Sequence, residues 1–317
     1  MKYCFGIDIG GTTVKCGLFT VEGRLVDKWE IVTDKSEQGK KILKDVAAAV
    51  AGKMREKSIP AEDVFGLGVG VPGPVLSQSI VKGCVNLGWA EYNVKEELEK
   101  ELKRELGEKS FAVSVENDAN VAALGELWQG TGKGNRSLVM VTLGTGVGGG
   151  IVLDGKILSG VTGAAGEIGH MPVLYDETEM CNCGKKGCLE QIASATGIVR
   201  HAKRVLAGTD KESALRKGNL TAKAVFDAFK ESDELAQIIV NDVCRYLATA
   251  LAHITCVVNP EIIVIGGGVS KAGQVLIDTV SMYYREKAFN ACKDTKIVLA
   301  SLGNDAGIYG AAGLVLS

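Results

Sequence analysis

Two stretches decide the fold: FGIDIGGTTVKCGLFTVEGRLV at residues 5–26 and VMVTLGTGVGGGIVLDGKIL at residues 139–158. Each is an apolar strand, a Gly/Thr turn, a second apolar strand and a tight turn, at Glu22-Gly23 in one and Asp154-Gly155 in the other. One β-hairpin idea is written twice, so the chain reads as two related halves. Gly10, Gly11, Gly144, Gly146, Gly148, Gly149 and Gly150 remove Cβ atoms where the backbone is expected to bend, and Thr12, Thr13 and Thr145 add hydroxyls. Main-chain N–H groups in such turns can approach an anion closely. One glycine hairpin is most often only a hairpin; two copies in two halves point to a cleft with a phosphate tail between them.

The segments between the hairpins fit α/β halves. Residues 42–57, 92–106, 119–128, 193–207, 221–232 and 235–258 carry helical spacing, and VFGLGVGVPGPV and FAVSVEN read as strands. EIIVIGGGVSKAG is a β-branched strand running into Gly266, Gly267 and Gly268 and then a helix, a junction that suits a nucleotide. LGNDAGIYGAAGLV reads as a small-residue helix able to pack closely on the first half. Alternation of this kind predicts largely parallel or mixed sheets covered by helices. Two domains are expected: 1–117, completed by a C-terminal helix at 305–317, and 118–304.

The chemistry-bearing stretch is EIGHMPVLYDETEMCNCGKKGCLE at residues 167–190. Cys181, Cys183 and Cys188 form a C-x-C-x4-C array with His170 eleven residues upstream, the donor set of a closed tetrahedral zinc shell. Four protein ligands leave no open position, so the zinc is expected to be structural. A metal there also fixes Glu167 and Glu190, two carboxylates suited to a polyhydroxylated ligand. A knuckle with no catalytic meaning, flanked by two ordinary surface acids, is the plainer alternative.

Composition narrows the class. A length of 317 residues, 46% hydrophobic, suits a soluble two-domain protein, and a net charge of −2 leaves no basic footprint for DNA. The six remaining cysteines (Cys4, Cys16, Cys84, Cys244, Cys256 and Cys292) stand singly in apolar segments, which favours buried free thiols in a reducing cytoplasm over disulfides. No basic leader precedes the first strand, and the longest apolar stretch, 246–258, is too short to span a bilayer. A cytoplasmic protein without membrane partners is the expectation.

In order along the chain, DIGGT from Asp8, END from Glu116, LGTGVGGG from Leu143, GEIGH from Gly166, CNCGKKGCLE from Cys181 and IGGG from Ile265 resemble the ROK family of sugar kinases in the actin-like ATPase superfamily. The resemblance covers the whole chain. It implies a duplicated actin-like ATPase (ribonuclease H-like) fold, two α/β domains flanking a cleft, ATP and Mg²⁺ as cofactors beside the zinc, and a homodimer or homotetramer. The CxCGxxGC form with an ExGH partner is most like the bacterial glucokinases and N-acetylmannosamine kinases, and the favoured expectation is a hexokinase-type reaction that moves the γ-phosphoryl group of ATP to the 6-hydroxyl of glucose, giving glucose 6-phosphate. An N-acetylmannosamine kinase would share nearly every motif. A sugar-sensing regulator is the non-catalytic alternative, disfavoured because the DIGGT strand begins within a few residues of Met1.

Phosphoryl transfer needs in-line positioning, charge neutralisation and a proton acceptor. Asp118 is the candidate base; the alternative is that it caps the helix it begins. Asn117, Glu167, His170 and Glu190 supply the amide, carboxylates and imidazole that a pyranose rim requires, and the resemblance adds Gly73 and Asn86. His170 would have one ring nitrogen on zinc and the other on the sugar. The resemblance further implies that Asp8 orients Mg²⁺ through water, that Gly10, Gly11, Thr12, Thr13, Lys15, Thr145 and Gly146 surround the phosphates, and that Gly266, Gly267 and Gly268 lie beside the adenosine. Lys15 could equally be an exposed strand residue.

Overall fold

The structure is a computed structural model that describes residues 1–107 and 111–316. Residues 108–110, within the first expected domain, and Ser317, the last residue of the expected C-terminal helix, lie outside the described residues.

The chain opens with β1 (Tyr3–Ile9), β2 (Thr13–Thr20) and β3 (Leu25–Val32), then a four-residue turn α1 (Ser36–Gly39) and α2 (Ile42–Glu56). β4 (Val64–Val71), β5 (Val75–Leu76), β6 (Ile80–Cys84) and β7 (Trp89–Asn93) lead to α3 (Val94–Leu106), β8 (Ala112–Asn117) and α4 (Asp118–Trp128). The second hairpin is β9 (Leu138–Leu143) and β10 (Val147–Leu153), followed by β11 (Lys156–Ile157). Then come α5 (Glu190–Ala193), α6 (Ala195–Ala207), α7 (Ala222–Lys230), α8 (Glu234–Val258), β12 (Ile262–Gly266), α9 (Gln274–Lys287), β13 (Lys296–Leu299) and α10 (Ala306–Leu314).

The strand order repeats. One five-stranded sheet runs β3-β2-β1-β4-β8, the other β11-β10-β9-β12-β13, and β5-β6-β7 make a small third sheet. In the first, β1 and β2 are antiparallel while β1, β4 and β8 are parallel. In the second, β9, β12 and β13 are parallel. The same order twice is the duplicated ribonuclease H-like fold that the resemblance implies. Gly148, Gly149 and Gly150 lie in strand β10 and not in a bend. A Cβ on Gly150 would stand 2.6 Å from the carbonyl oxygen of Ala119, so close strand–helix packing explains that glycine.

Contacts divide the chain into two compact units. The first is Met1–Ser137 with Gly150–Gly166 and Ser301–Ser317; the second is Leu138–Gly149 with Glu167–Ala300. The first unit therefore runs past the 117/118 border expected from the sequence and takes in α4.

In the first unit, β1 and β4 are almost wholly buried, whereas edge strand β3 is half-exposed along its length. Helix α2 buries Ile42, Leu43, Val46, Ala47, Val50 and Met54, a stripe at helical spacing in the same core as Ile7, Leu67 and Val69. Asn93 caps α3 by accepting the Glu96 N–H at 3.2 Å and donating to the Glu96 carboxylate at 2.8 Å. Helix α10 explains its own composition. A Cβ on Gly6 would stand 1.9 Å from the Ile308 carbonyl, one on Gly68 1.7 Å from that of Ala311, and one on Gly310 1.5 Å from that of Val121. The helix touches β1, β4 and α4 backbone to backbone, and side chains at those positions would push it off.

In the second unit, α8 is the long helix. Asp233 caps it by accepting from Leu235 and Ala236, and Asn259 ends it in the left-handed conformation. Its Thr255 hydroxyl accepts from the buried Tyr284 hydroxyl of α9 at 3.1 Å. Of the six scattered cysteines, five are buried and free as expected; Cys256, on the outer face of α8, is exposed. No helix among the described residues is long and apolar enough to cross a membrane.

Candidate functional site

The first unit gathers its candidate groups at one edge of its sheet. Asp8 pairs in register with Gly70, and Gly70 with Glu116, so Asp8 and the END segment emerge at the same carboxyl ends of parallel strands. Ligands of open α/β sheets bind at that edge. Lys15 is the direct cross-strand partner of Asp8, on the same face, and its ammonium donates to the Asn304 carbonyl at 2.9 Å. Burial first, and the neighbouring Asp118 carboxylate second, push the Asp8 carboxyl up to about 6, with Lys15 opposing. Gly307 leaves the room that Asp8 occupies: a Cβ there would lie 2.6 Å from Asp8 Oδ2.

The β1–β2 turn is pinned from within. The N–H of Gly10 donates to the Thr13 carbonyl at 3.0 Å, so that donor closes the turn. Thr33 holds the same turn from β3's end, its hydroxyl donating to the Gly10 carbonyl and its N–H to that of Thr12. Gly11 faces open space, with Asn86 Cβ 4.0 Å from where its own Cβ would be.

Asn117, not Asp118, caps α4. Its Oδ1 accepts the N–H groups of Ala119 and Asn120 at 2.9 and 3.2 Å, and its Nδ2 donates to the Gly73 carbonyl at 3.1 Å. Gly73 sits at φ +94°, a conformation that favours glycine. Asp118 is the exposed first residue of α4, one of its oxygens accepting the Ala119 N–H at 2.8 Å. Glu116, which sequence reasoning passed over, is buried beneath them. Its carboxylate accepts from the Asn117 N–H (2.9 Å), Asn120 Nδ2 (3.1 Å) and the Ser159 hydroxyl (2.7 Å). A glutamate closing a strand just before a helix cap was the available signal.

In the second unit, the nitrogen and sulfur atoms of His170, Cys181, Cys183 and Cys188 all lie within 4.8 Å of one another. Cys181 Sγ is 3.8 Å from His170 Nδ1, and Cys183 Sγ is 3.6 Å from Cys188 Sγ. A tetrahedral zinc shell, with bonds of ~2.3 Å to sulfur and ~2.0 Å to nitrogen, sets such edges at roughly 3.6–3.8 Å. Burial and the adjoining sulfurs push the Cys188 thiol up to about 12, a repulsion that a bound dication relieves. The residues fit zinc. Nδ1 faces the sulfurs, while Nε2 lies 4.0 Å from Glu167 Oε2, three residues back across a single 3-10 turn.

Glu190 begins α5 and reaches the β9–β10 turn: its Oε2 accepts the Val147 N–H at 3.3 Å and would lie 2.3 Å from a Cβ on Gly146. Here too the first glycine closes its own turn, Gly144 N–H donating to the Gly146 carbonyl at 2.9 Å. Gly266 ends β12, and Gly267, at φ +84°, presses against the backbone of Leu143. A 3-10 turn at Gly268–Ala272 follows, so α9 starts later than the expected helix at the glycines. Beside Gly268 opens a mainly apolar cavity of about 330 Å³, with Ala195, Thr221, Phe226 and Val269 in its wall. Only Gly268 of that set was singled out from the sequence: Val269 is its neighbour in the same turn, and Ala195, Thr221 and Phe226 come from segments remote in sequence.

The chain matches the ROK family model over residues 4–317. It is 43% identical to a glucokinase of Halalkalibacterium halodurans over 99% of this chain and 95% of that protein. Among solved structures it is similar to a ROK family glucokinase from Streptomyces griseus in complex with glucose and AMPPNP (32% identity, TM-score 0.73, 98% of each chain). It is also similar to a ROK hexokinase from Thermus thermophilus (30% identity, TM-score 0.78, 98% of this chain and 96% of that one). With motifs, strand order and a family match that runs almost end to end, the chain belongs to the ROK family.

Proposed function

We propose that this protein is a glucokinase: it transfers the γ-phosphoryl group of ATP to the 6-hydroxyl of glucose, with Asp118 as the general base. The observation that carries the reading is the placement of Asp118. Asn117 takes the capping role, and the Asp118 carboxylate stands near Asp8, close enough to raise that group's pKa. Supporting it is the 43% identity to a curated glucokinase along nearly the whole chain.

In this mechanism Asp118 accepts the hydroxyl proton as the sugar oxygen forms its bond to the γ-phosphorus, and the bond from that phosphorus to the bridging oxygen breaks to release ADP. In the first unit, Gly73, Asn86 and Asn117 are assigned to the sugar with Asp118. In the second, Glu167, His170 through Nε2, and Glu190 take the same role. Gly11, Thr12, Thr13 and Lys15, with the turn donors at Thr145 and Gly146, are assigned to the phosphates; Gly10 and Gly144 shape those turns. Gly266 to Gly268 and the adjoining apolar cavity are assigned to adenosine. Asp8 fits a hydrated Mg²⁺, since a carboxyl held near 6 by burial first and a second acid beside it is one that a dication relieves; when bound, Mg²⁺ supplies charge neutralisation at the phosphates. Zinc, held by His170, Cys181, Cys183 and Cys188, is assigned a structural role.

A coupled ADP-release assay across glucose, mannose, N-acetylmannosamine, N-acetylglucosamine and fructose tests the reaction. Glucose should lead by an order of magnitude, and N-acetylmannosamine in first place would overturn the assignment. Asp118→Asn should lower turnover by ~10²-fold or more with the fold intact. Near-normal turnover in that variant would remove Asp118 as base.

A further inference from the structure

Helix α6 joins two parts of the second unit that lie far apart in sequence. At its N-terminus, Ser194 caps the helix and donates to the Glu190 carbonyl at 2.6 Å. The Ala195 N–H then donates to the Gly144 carbonyl at 2.8 Å, and the Thr196 hydroxyl to the Thr145 carbonyl at 2.8 Å. Both carbonyls belong to the β9–β10 turn.

One and two helical turns further on, the same helix grips the segment just before Cys181. Arg200 donates to the Glu177 carboxylate at 3.0 Å, to that of Glu179 at 3.1 Å and to the Gln191 carbonyl at 2.6 Å. Arg204 holds both oxygens of Glu177, at 2.8 and 2.9 Å, and one of Glu179 at 2.6 Å. Gln191 returns the grip, donating to the Glu179 carbonyl and accepting the Cys188 N–H, each at 3.1 Å. Glu190 closes the circuit, with one oxygen on the Val147 N–H and the other 3.4 Å from Cys181 Sγ.

We propose that Thr196 and Arg200 are positioning residues through which the zinc loop and the phosphate turn set each other's shape, so that zinc and nucleotide bind cooperatively. The inference rests on the assignment of the Thr145-Gly146 turn to the phosphates. The physical reason is stiffness: an α-helix cannot shear between residues 196 and 204 without breaking its own hydrogen bonds, so a loop that relaxes at one end drags the turn at the other. His170, Cys181, Cys183 and Cys188 need not touch the nucleotide for this to operate. Linkage then demands reciprocity: whatever factor zinc adds to nucleotide affinity, nucleotide adds to zinc affinity.

The test follows zinc transfer from the loaded, sugar-free protein to a chromogenic chelator, with and without ADP. ADP should raise zinc affinity by about fivefold or more, the lower end of usual coupling. Thr196→Val, which keeps the shape and deletes the donor, should cut that dependence at least by half, and Thr196→Ser should restore it. Arg200→Ala should weaken ADP binding by calorimetry in protein still carrying zinc, with Arg200→Lys recovering only part because it lacks the two-pronged fork. ADP that binds yet leaves zinc release unchanged would overturn the coupling alone, as would full dependence in Thr196→Val. Failure of the wild type to bind ADP at all would overturn both the coupling and the nucleotide assignment.

Discussion

The two compact units hold their chemistry in opposite ways. In the first, Asp8 and Asp118 sit on a sheet edge and a helix start whose positions are fixed by backbone contact, with no room for a methyl group at Gly6, Gly68 or Gly310. In the second, the segment from Glu167 to Leu189 has one 3-10 turn and two isolated bridges; it is held by the Arg200 and Arg204 clamp and carries donors that fit zinc. The acids show the same contrast. Burial and Asp118 push Asp8 up to about 6, whereas hydrogen bonds from Arg204, with the Arg200 charge adding to them, bring Glu177 down to about 2. A scaffold packed backbone to backbone can hold like charges together; an irregular loop has to be held by opposite ones.

The largest expected effect breaks the packing half of that contrast. Gly6→Ala should cost about 3 kcal/mol or more, since the Ile308 carbonyl is backbone and cannot step aside, and a fall in thermal midpoint reads it. Gly52→Ala, inside α2 with open space ahead, should instead stabilise by roughly 0.5–1 kcal/mol. Equal effects of the two would mean that α10 is not seated as described.

The ionic half is tested by Glu177→Gln. Removing the charge that both arginines hold should lower zinc affinity by about tenfold, measured by competition with a chelator, while leaving the first unit's stability unchanged. Unchanged affinity would leave zinc as the sole organiser of the loop.

Acid sharpens the comparison because the two groups titrate in opposite senses. Asp8 is raised, so its charged form opposes folding above the unfolded value near 3.8, and protonation through about 6 relieves that strain on stability. Turnover should nevertheless fall by ~tenfold per pH unit below that midpoint, and saturating Mg²⁺ should move the midpoint down. Glu177 is depressed, so its stabilisation is complete above about 4.5 and is lost only as pH falls toward about 2. Activity should therefore disappear, reversibly, in protein that circular dichroism still finds folded. The smallest loss of stability is expected for Asn117→Ala, which removes the α4 cap and the tie to Gly73 at a cost of ~1 kcal/mol in thermal unfolding.

Much of this was legible in residue order. Helical spacing placed α2, α4 and α8 within a residue or two, and the repeated hairpin announced two sheets of like order. The zinc donor set could be read because chelation by a loop depends on local spacing. What escaped was non-local or electrostatic. The glycines of β10 read as a bend because local sequence does not reveal that Ala119 presses on Gly150. A capping role for Asp118 stayed open as the alternative to the base until Asn117 was seen to take that place. Buried Glu116 looks like any glutamate until its three donors surround it.

Sequence alone determined the family, the two sheets, the turns and a set of donors that fits one metal, since each depends on spacing within some twenty residues or on runs of apolar side chains. Only tertiary structure decided which donors the turns had already used, that Asp8 and Asp118 repel, and that α6 is tied both to the β9–β10 turn and to the loop bearing the cysteine cluster. Those properties belong to distances between segments, and charge and hydrogen bonding act across space without regard to position in the chain.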